Sequence, residues 1–273
     1  MCEMAGNAEQ HAIPDLNGFS VFTRGGIRLV AKHPLLVDFA QDLARGLPLD
    51  TPLECTVVIG EHYEVPRQDA EPLILIQTEH YLDACGQPMF RAASNQRKRR
   101  FVDHFDHILD LSLTNPPAYQ FLRPKKQRKI MFGPYIFPST PVPRSPGGKG
   151  LAFAGNVNGR RAEIIASLGD AVTRLPQRTW GMDVHRAFCA AEAILNIHYI
   201  ESVVTEAPRL LKAYMAGKPV VSEELAAPIQ MGRHAINLGE ELSSIELNAV
   251  FDAFDHEIAR KFRFVAYLEK ILG

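Results

Sequence analysis

Between Gly133 and Gly150 the chain reads GPYIFPSTPVPRSPGGKG. Pro134, Pro138, Pro141, Pro143 and Pro146 remove backbone donors and fix φ, so neither a helix nor a central strand passes through this stretch. Gly147, Gly148 and Gly150 loosen its C-terminal end. The stretch therefore reads as a linker. The segment is expected to separate two domains of roughly 130 and roughly 120 residues: residues 1–138, a linker at 139–150, and residues 151–273.

Both halves carry the same rhythm. Before the linker, CTVVIG at 55–60, PLILIQ at 72–77, HILDL at 107–111 and Ile130 to Phe132 are short apolar runs of strand length. Helical patterns fall at 35–45 and 115–122. After the linker, LAFA at 151–154, AILNI at 193–197 and PVVS at 219–222 alternate with helical patterns at 160–168, 183–190 and 206–215. Uninterrupted apolar strands between amphipathic helices imply strands covered on both faces, hence parallel α/β sheets. The tail from Glu240 to Leu272 is helical in period, with a break expected near Ser243 or Asp255. The fold class is thus α/β, two Rossmann-like domains facing across a cleft, with a helical C-terminal tail.

Composition narrows the function classes. At 46% hydrophobic and a net charge of −1, the chain is no disordered polyelectrolyte. No apolar run approaches the roughly 18 residues of a membrane helix. Met1 to Gln10 holds Glu3 and Glu9 and no basic start before an apolar core, so no signal peptide is expected. A cytoplasmic location is the expectation. Cys2, Cys55, Cys85 and Cys189 form no C-x-x-C pair and read as reduced thiols, with neither a disulfide framework nor a metal site. Charge is balanced across both halves, which disfavours a general nucleic-acid binder.

In open parallel sheets, ligands bind at the carboxyl ends of strands, where loops and helix N-termini converge. After the strand at 151–154 comes Gly155-Asn156-Val157-Asn158-Gly159-Arg160-Arg161. Two arginines in a first helical turn oppose the helix dipole, and an external phosphate would resolve that conflict. The alternative is a solvated turn with two surface arginines. The spacing matches neither a dinucleotide fingerprint nor a P-loop. After the strand at 193–197 come His198 and Tyr199, then Thr205-Glu206-Ala207-Pro208-Arg209 opening a helix. Thr205 is the expected N-cap, Glu206 and Arg209 share a face, and Gly217-Lys218-Pro219 stops the helix. A carboxylate at a helix start beside a strand-end histidine suits a ribose hydroxyl pair and a phosphate. The alternative is that Glu206 only complements the dipole and pairs with Arg209.

These stretches, with Ala213-Tyr-Met-Ala-Gly-Lys-Pro-Val-Val-Ser222 and Phe153-Ala-Gly-Asn156, resemble the nucleotide-sugar domain of GT-B glycosyltransferases. They are most similar to the bacterial family-one/family-four-like and spore-coat-type members. Leu75-Ile-Gln-Thr-Glu-His80 and Ile130-Met-Phe-Gly-Pro-Tyr135 resemble, less specifically, parts of the acceptor-side domain. About 70 residues match well and about 150 loosely. The resemblance implies a sugar donor activated by a nucleoside diphosphate, no cofactor and no obligatory metal, and a role in polysaccharide biosynthesis. Two departures stand out. Where family-four enzymes carry a second glutamate this chain has Lys212, and Tyr199 to Val204 replaces their glycine-rich loop.

Glycosyl transfer needs positive charge or helix N-termini on the leaving diphosphate, an oriented donor in a water-poor cleft and, in an inverting enzyme, a base on the acceptor hydroxyl. Arg160, Arg161 and Arg209 with the 155–161 turn are candidates for the first. Asn156, His198 and Glu206 are candidates for the second, with Gly155, Tyr199 and Thr205 beside them. His80 or Glu79, following an apolar strand in the first half, are candidates for the base.

Other clusters carry chemistry-bearing residue types. Asp103-His104-Phe105-Asp106-His107 has ligand residue types without metal-site spacing. Trp180 is expected to pack where its loop folds back, or to line the sugar or base pocket. Arg97-Lys98-Arg99-Arg100 and Lys125-Lys126-x-Arg128-Lys129 are two basic runs, each a solvated face or a contact for a phosphorylated acceptor, a nucleic acid or the inner membrane surface. Neither run has the aromatic interleaving that stacks bases. The expected partners are a nucleotide-sugar donor and a glycan, lipid-linked or small-molecule acceptor. The rival classes are a non-catalytic binding protein on the same fold and a nucleic-acid-modifying protein.

Overall fold

The computed structural model describes residues 18–60, 65, 71–89, 94–240 and 244–273. They form two units: one ends at Ser139 and takes back Phe262–Gly273, the other spans Thr140–Lys261.

The first unit holds a six-stranded sheet. An antiparallel hairpin, β1 (Ser20–Arg24) and β2 (Gly26–Ala31), leads through α1 (Pro34–Gly46) to β3 (Glu54–Ile59) and β4 (Leu73–Gln77). Helix α2 (Asn95–His104), β5 (His107–Asp110), α3 (Pro124–Gln127) and β6 (Ile130–Phe132) come next. Strands β2 to β6 are parallel and lie side by side in chain order. Every residue of β4 is buried, as expected of a strand covered on both faces. One face carries Val21, Val58, Leu75, Phe101, Phe105, Ile108 and Tyr119.

The second unit has five parallel strands: β7 (Leu151–Phe153), β8 (Val172–Arg174), β9 (Ala193–Asn196), β10 (Val220–Ser222) and β11 (Ile236–Asn237). Helices α4 (Gly159–Leu168), α5 (Gly181–Ala190), α6 (Ala207–Met215) and α7 (Ser244–Phe254) connect and extend them. The strand order is β11-β10-β9-β7-β8. The chain therefore starts one strand in from an edge, moves outward to β8, then crosses back to β9. That reversal between β7 and β9 is a topological switch point, where a crevice opens at the carboxyl ends of the strands. The first unit's described strands contain no such reversal.

The α/β expectation holds in both units, and four details differ. Residues 115–122 contain only a short 3-10 turn at Pro116–Tyr119, because the Asn115 side chain is spent on neighbouring backbone rather than on a helix. The hairpin β1–β2 and helix α2 lie outside the elements that the sequence pattern picks out. The proline-rich segment is no loose tether: Val142 N donates to Tyr214 Oη at 3.0 Å, and Lys218 Nζ to the Ser145 and Gly147 carbonyls at 2.7 and 2.8 Å. Gly217, at φ +68°, lets this pass closely, since a Cβ there would lie 2.6 Å from the Pro143 carbonyl.

The tail, expected wholly within residues 151–273, divides instead. Helix α7 loses its α register in a π turn at Asp255–Ala259, one of the two expected breaks; Ser243, the other, lies outside the described residues. Phe262–Gly273, with α8 (Phe264–Leu272), then joins the first unit. Phe137 N donates to Phe262 O at 3.1 Å and Phe264 N to Phe137 O at 2.9 Å. Tyr135 packs edge-on against Phe262, with ring centroids 5.0 Å apart.

Candidate functional site

At the switch point, two loops meet: 154–158 after β7 and 197–206 after β9. Helix α4 starts at the first, with Asn158 as its N-cap accepting from Arg161 N at 3.0 Å. The Asn158 amide also donates to the Tyr199 carbonyl at 2.6 Å, tying one loop to the other. Arg161 crosses the same gap. Its Nη1 donates to Asn156 O at 2.8 Å and its Nη2 to Ile197 O at 2.6 Å.

Arg161 is 4% exposed, and its Nε is a buried donor with no partner. Buried donors are normally paired, so this nitrogen stands out among the described residues of the second unit. Arg209, from the first turns of α6, donates from Nη1 to Asn196 Oδ1 at 2.8 Å. Both guanidinium groups lie over the Phe153 ring, at 5.7 and 5.6 Å. Gly155, at φ +147°, sits beside them: a Cβ there would come within 3.3 Å of Arg209 Nη2. Burial and then repulsion from Arg209 lower the Arg161 pKa to about 10.

Glu206 is the carboxylate among these cations. Its Oε1 lies 3.3 Å from His198 Nδ1 and 3.9 Å from Arg161 Nη2; its Oε2 lies 3.6 Å from Arg209 Nη2. Burial alone would raise its pKa, yet Arg209, His198 and Arg161 hold it down at about 2. One carboxylate thus stands against two arginines, leaving an excess of positive charge in a water-poor place.

The remaining expected residues fall into two groups. Arg160 turns away from Arg161. It pairs bidentately with Glu223, and its Nη1 also donates to His198 O at 3.0 Å. Glu223 accepts from His198 N at 2.7 Å as well, so the Arg160–Glu223 pair pins the 197–199 backbone. His198 is buried, with Nε2 donating to Glu224 O at 2.8 Å, so it acts through Glu206. Thr205 is not the N-cap of α6, a position Glu206 occupies; its hydroxyl goes to the Ala226 and Ala227 carbonyls. Tyr199 and Asn156 are exposed at the mouth, with the Tyr199 ring 5.2 Å from the Arg161 guanidinium carbon. Trp180 is also exposed, at 38%, rather than packed under its loop.

In the first unit, Glu79 and His80 come after β4. Asp110, at the end of β5, is fully buried and accepts from Tyr119 Oη at 2.7 Å, from Asn115 Nδ2 at 2.9 Å and from Ser112 N at 3.0 Å. The Asn115 amide also donates to Glu79 O at 3.0 Å. His80 Nδ1 lies 3.1 Å from Ser112 Oγ. Its neighbours set the direction of that bond. Thr114 Oγ1 gives its only proton to Leu82 O, so Ser112 Oγ donates to Thr114 and must accept from His80. His80 therefore carries hydrogen on Nδ1.

Sequence reasoning missed Asn158, Asn196, Glu223, Asp110 and Ser112. A usable signal was present: β4, β5, β9 and β10 are apolar runs closing on Gln77, Asp110, Asn196 and Ser222, all buried. A polar residue ending a buried parallel strand lies where sites are built. In the cluster weighed for metal, Asp103 and His104 end α2 while His107 opens β5, and burial lowers the His107 pKa.

No family model matches the chain, and no curated protein matches it. Among solved structures it is similar to Anabaena Alr3699/HepE in complex with UDP and glucose, at 11% identity over 79% of this chain and 76% of that one, TM-score 0.49. It is similar to accessory secretory protein 1, 2 and 3 in Streptococcus pneumoniae, at 11% identity over 93% and 62%, TM-score 0.45. TarM gives 10% identity over 93% and 62%, TM-score 0.45. The chain spans under two thirds of the length of the last two. Similarity at this level fixes neither the fold nor the function of this chain.

Proposed function

We propose that the second unit binds a nucleoside-diphosphate sugar and that the protein transfers its sugar to a glycan, lipid-linked or small-molecule acceptor. The observation that carries the reading is the pair of clustered arginines at the switch point, one with an unmatched donor, against a single carboxylate. A diphosphate supplies the missing negative charge and acceptors. In transfer, the bond from the anomeric carbon to the diphosphate oxygen breaks, and fixed cations stabilise the charge that develops there. Arg161 and Arg209 take that role, with the open Gly155 turn allowing close approach. Glu206 accepts from ribose hydroxyls, held in place by His198. Tyr199 and Asn156 line the entrance. On the acceptor side, His80 is the proposed base and Glu79 its alternative. The Ser112 hydroxyl accepts from Nδ1 and so orients the ring.

The sequence resemblance to GT-B enzymes points the same way. One feature favours a second reading, a binding protein on the same fold: Lys212 stands where related enzymes have a second glutamate. A thermal-shift panel of UDP, GDP, ADP, CMP and dTDP tests the binding claim. At least one nucleotide should raise the Tm, and Glu206→Gln or Arg161→Met should abolish the rise. No response to any of them would defeat the reading. Binding without release of free nucleotide from the matching donor, given a mixed acceptor pool, would select the second one.

A further inference from the structure

The two basic runs are about 25 residues apart in sequence, and neither alone exceeds an ordinary solvated face. The fold brings them together. Phe121 lies against α2, its ring 5.3 Å from the Arg99 guanidinium carbon. One helical turn on, Lys126 Nζ pairs with Asp103 at 2.6 Å, and Lys129 Nζ donates to the Phe105 carbonyl at 2.8 Å. Residues 121–129 therefore run along the 99/103 side of α2. Arg99, Arg100, Arg123, Lys125 and Arg128 are exposed there, and Asp103 is tied up by Lys126. The whole chain has a net charge of −1, so this concentration is offset by acidic surface elsewhere and gives the molecule an electrostatic polarity.

We infer that this surface, α2 with the 121–129 segment, docks the protein on an anionic lipid bilayer. The charge complements such a surface, and arginine and lysine side chains of this reach can engage phosphate headgroups. A nucleic acid fits less well. Among the described residues the patch offers no free aromatic face for a base: Tyr81 and Tyr119 are buried, and Lys98 and Arg99 sit over the Phe121 ring. Lys98 itself is buried with its ammonium on the Ala118 carbonyl at 2.8 Å, so it builds the patch rather than contacts the partner. This inference stands apart from the donor reading, since it concerns the other unit.

Co-sedimentation of the full chain with vesicles tests it. Binding should be strong on phosphatidylglycerol-containing vesicles, weak on pure phosphatidylcholine and lost as salt rises. At roughly fivefold per neutralised charge, the triple variant Arg99→Gln, Lys125→Gln, Arg128→Gln should bind about 100-fold more weakly. A variant of equal net charge in the second unit, Lys149→Gln, Arg174→Gln, Arg178→Gln, should bind like the parent. All six side chains are exposed, and an unchanged Tm confirms that each variant folds. Equal binding to both vesicle types, equal loss in the two variants, or displacement from vesicles by a single-stranded oligonucleotide would overturn the inference.

Discussion

The two units gather polar residues at the same place, the carboxyl ends of parallel strands, and use them in opposite ways. In the first, Asp110 is enclosed by Tyr119, Asn115 and Ser112, and Asn115 passes the network on to the Glu79 and Tyr81 backbone. The strands there run in chain order, so loops pack against one another and the polar groups satisfy each other. In the second, the strand order reverses between β7 and β9, Arg161 and Arg209 stand against Glu206, and the Arg161 Nε stays unmatched. The first network is closed on itself; the second keeps a donor to spare. Strand order, more than residue type, separates the two.

The hardest blow to this contrast is Asp110→Ala. It strands the Tyr119 hydroxyl and the Asn115 amide in the interior, and the loss should be about 3–5 kcal/mol in denaturant unfolding. A loss under about 1 kcal/mol would mean that the network is not a structural keystone, by the same estimate. Next comes the open side. Arg161→Met should weaken the stabilising nucleotide about 100-fold, roughly 2.7 kcal/mol, by isothermal titration. Unchanged affinity would make the orphan donor incidental.

Gly217→Ala should cost about 2 kcal/mol, because the new Cβ meets the Pro143 carbonyl at 2.6 Å in a left-handed conformation. No change in Tm would show that the proline-rich segment moves aside. Arg160→Ala sharpens the contrast between sequence neighbours: acting only through Glu223 and His198, it should reduce nucleotide affinity about tenfold, less than Arg161→Met. Equal effects would return Arg160 to the phosphate site.

A further effect is one of pH. Folding lowers the Glu206 pKa from 4.5 to about 2. A depressed acid adds stability above its ordinary pKa and loses it as pH falls through the folded value. Stability should therefore decline between about pH 5 and pH 2, and Glu206→Gln should flatten that part of the profile. An unchanged slope would place the acid sensitivity elsewhere.

Much of this was legible in the residues. The runs LILIQ, AILN and VVS are too short and apolar for surface helices, and the amphipathic stretches between them must cover a sheet, so burial alone implies parallel α/β units. Glu206 and Arg209 were legible too, since three-residue spacing on a helix sets them side by side at 3.6 Å. Thr205 misled because capping preference is local, while its hydroxyl found the carbonyls of residues about twenty positions on.

The amino-acid sequence by itself determined most of the central strands and the helices between them, because hydrophobic periodicity and proline act over a few residues; it did not mark the β1–β2 hairpin or α2. Tertiary structure alone decided what contacts across long separations decide. It sent Arg160 to Glu223 and Arg161 to the Asn156 and Ile197 carbonyls, joined two basic runs into one surface, and returned Phe262–Gly273 to the first unit. Adjacent arginines are identical to any local rule; only the neighbours that folding supplies distinguish them.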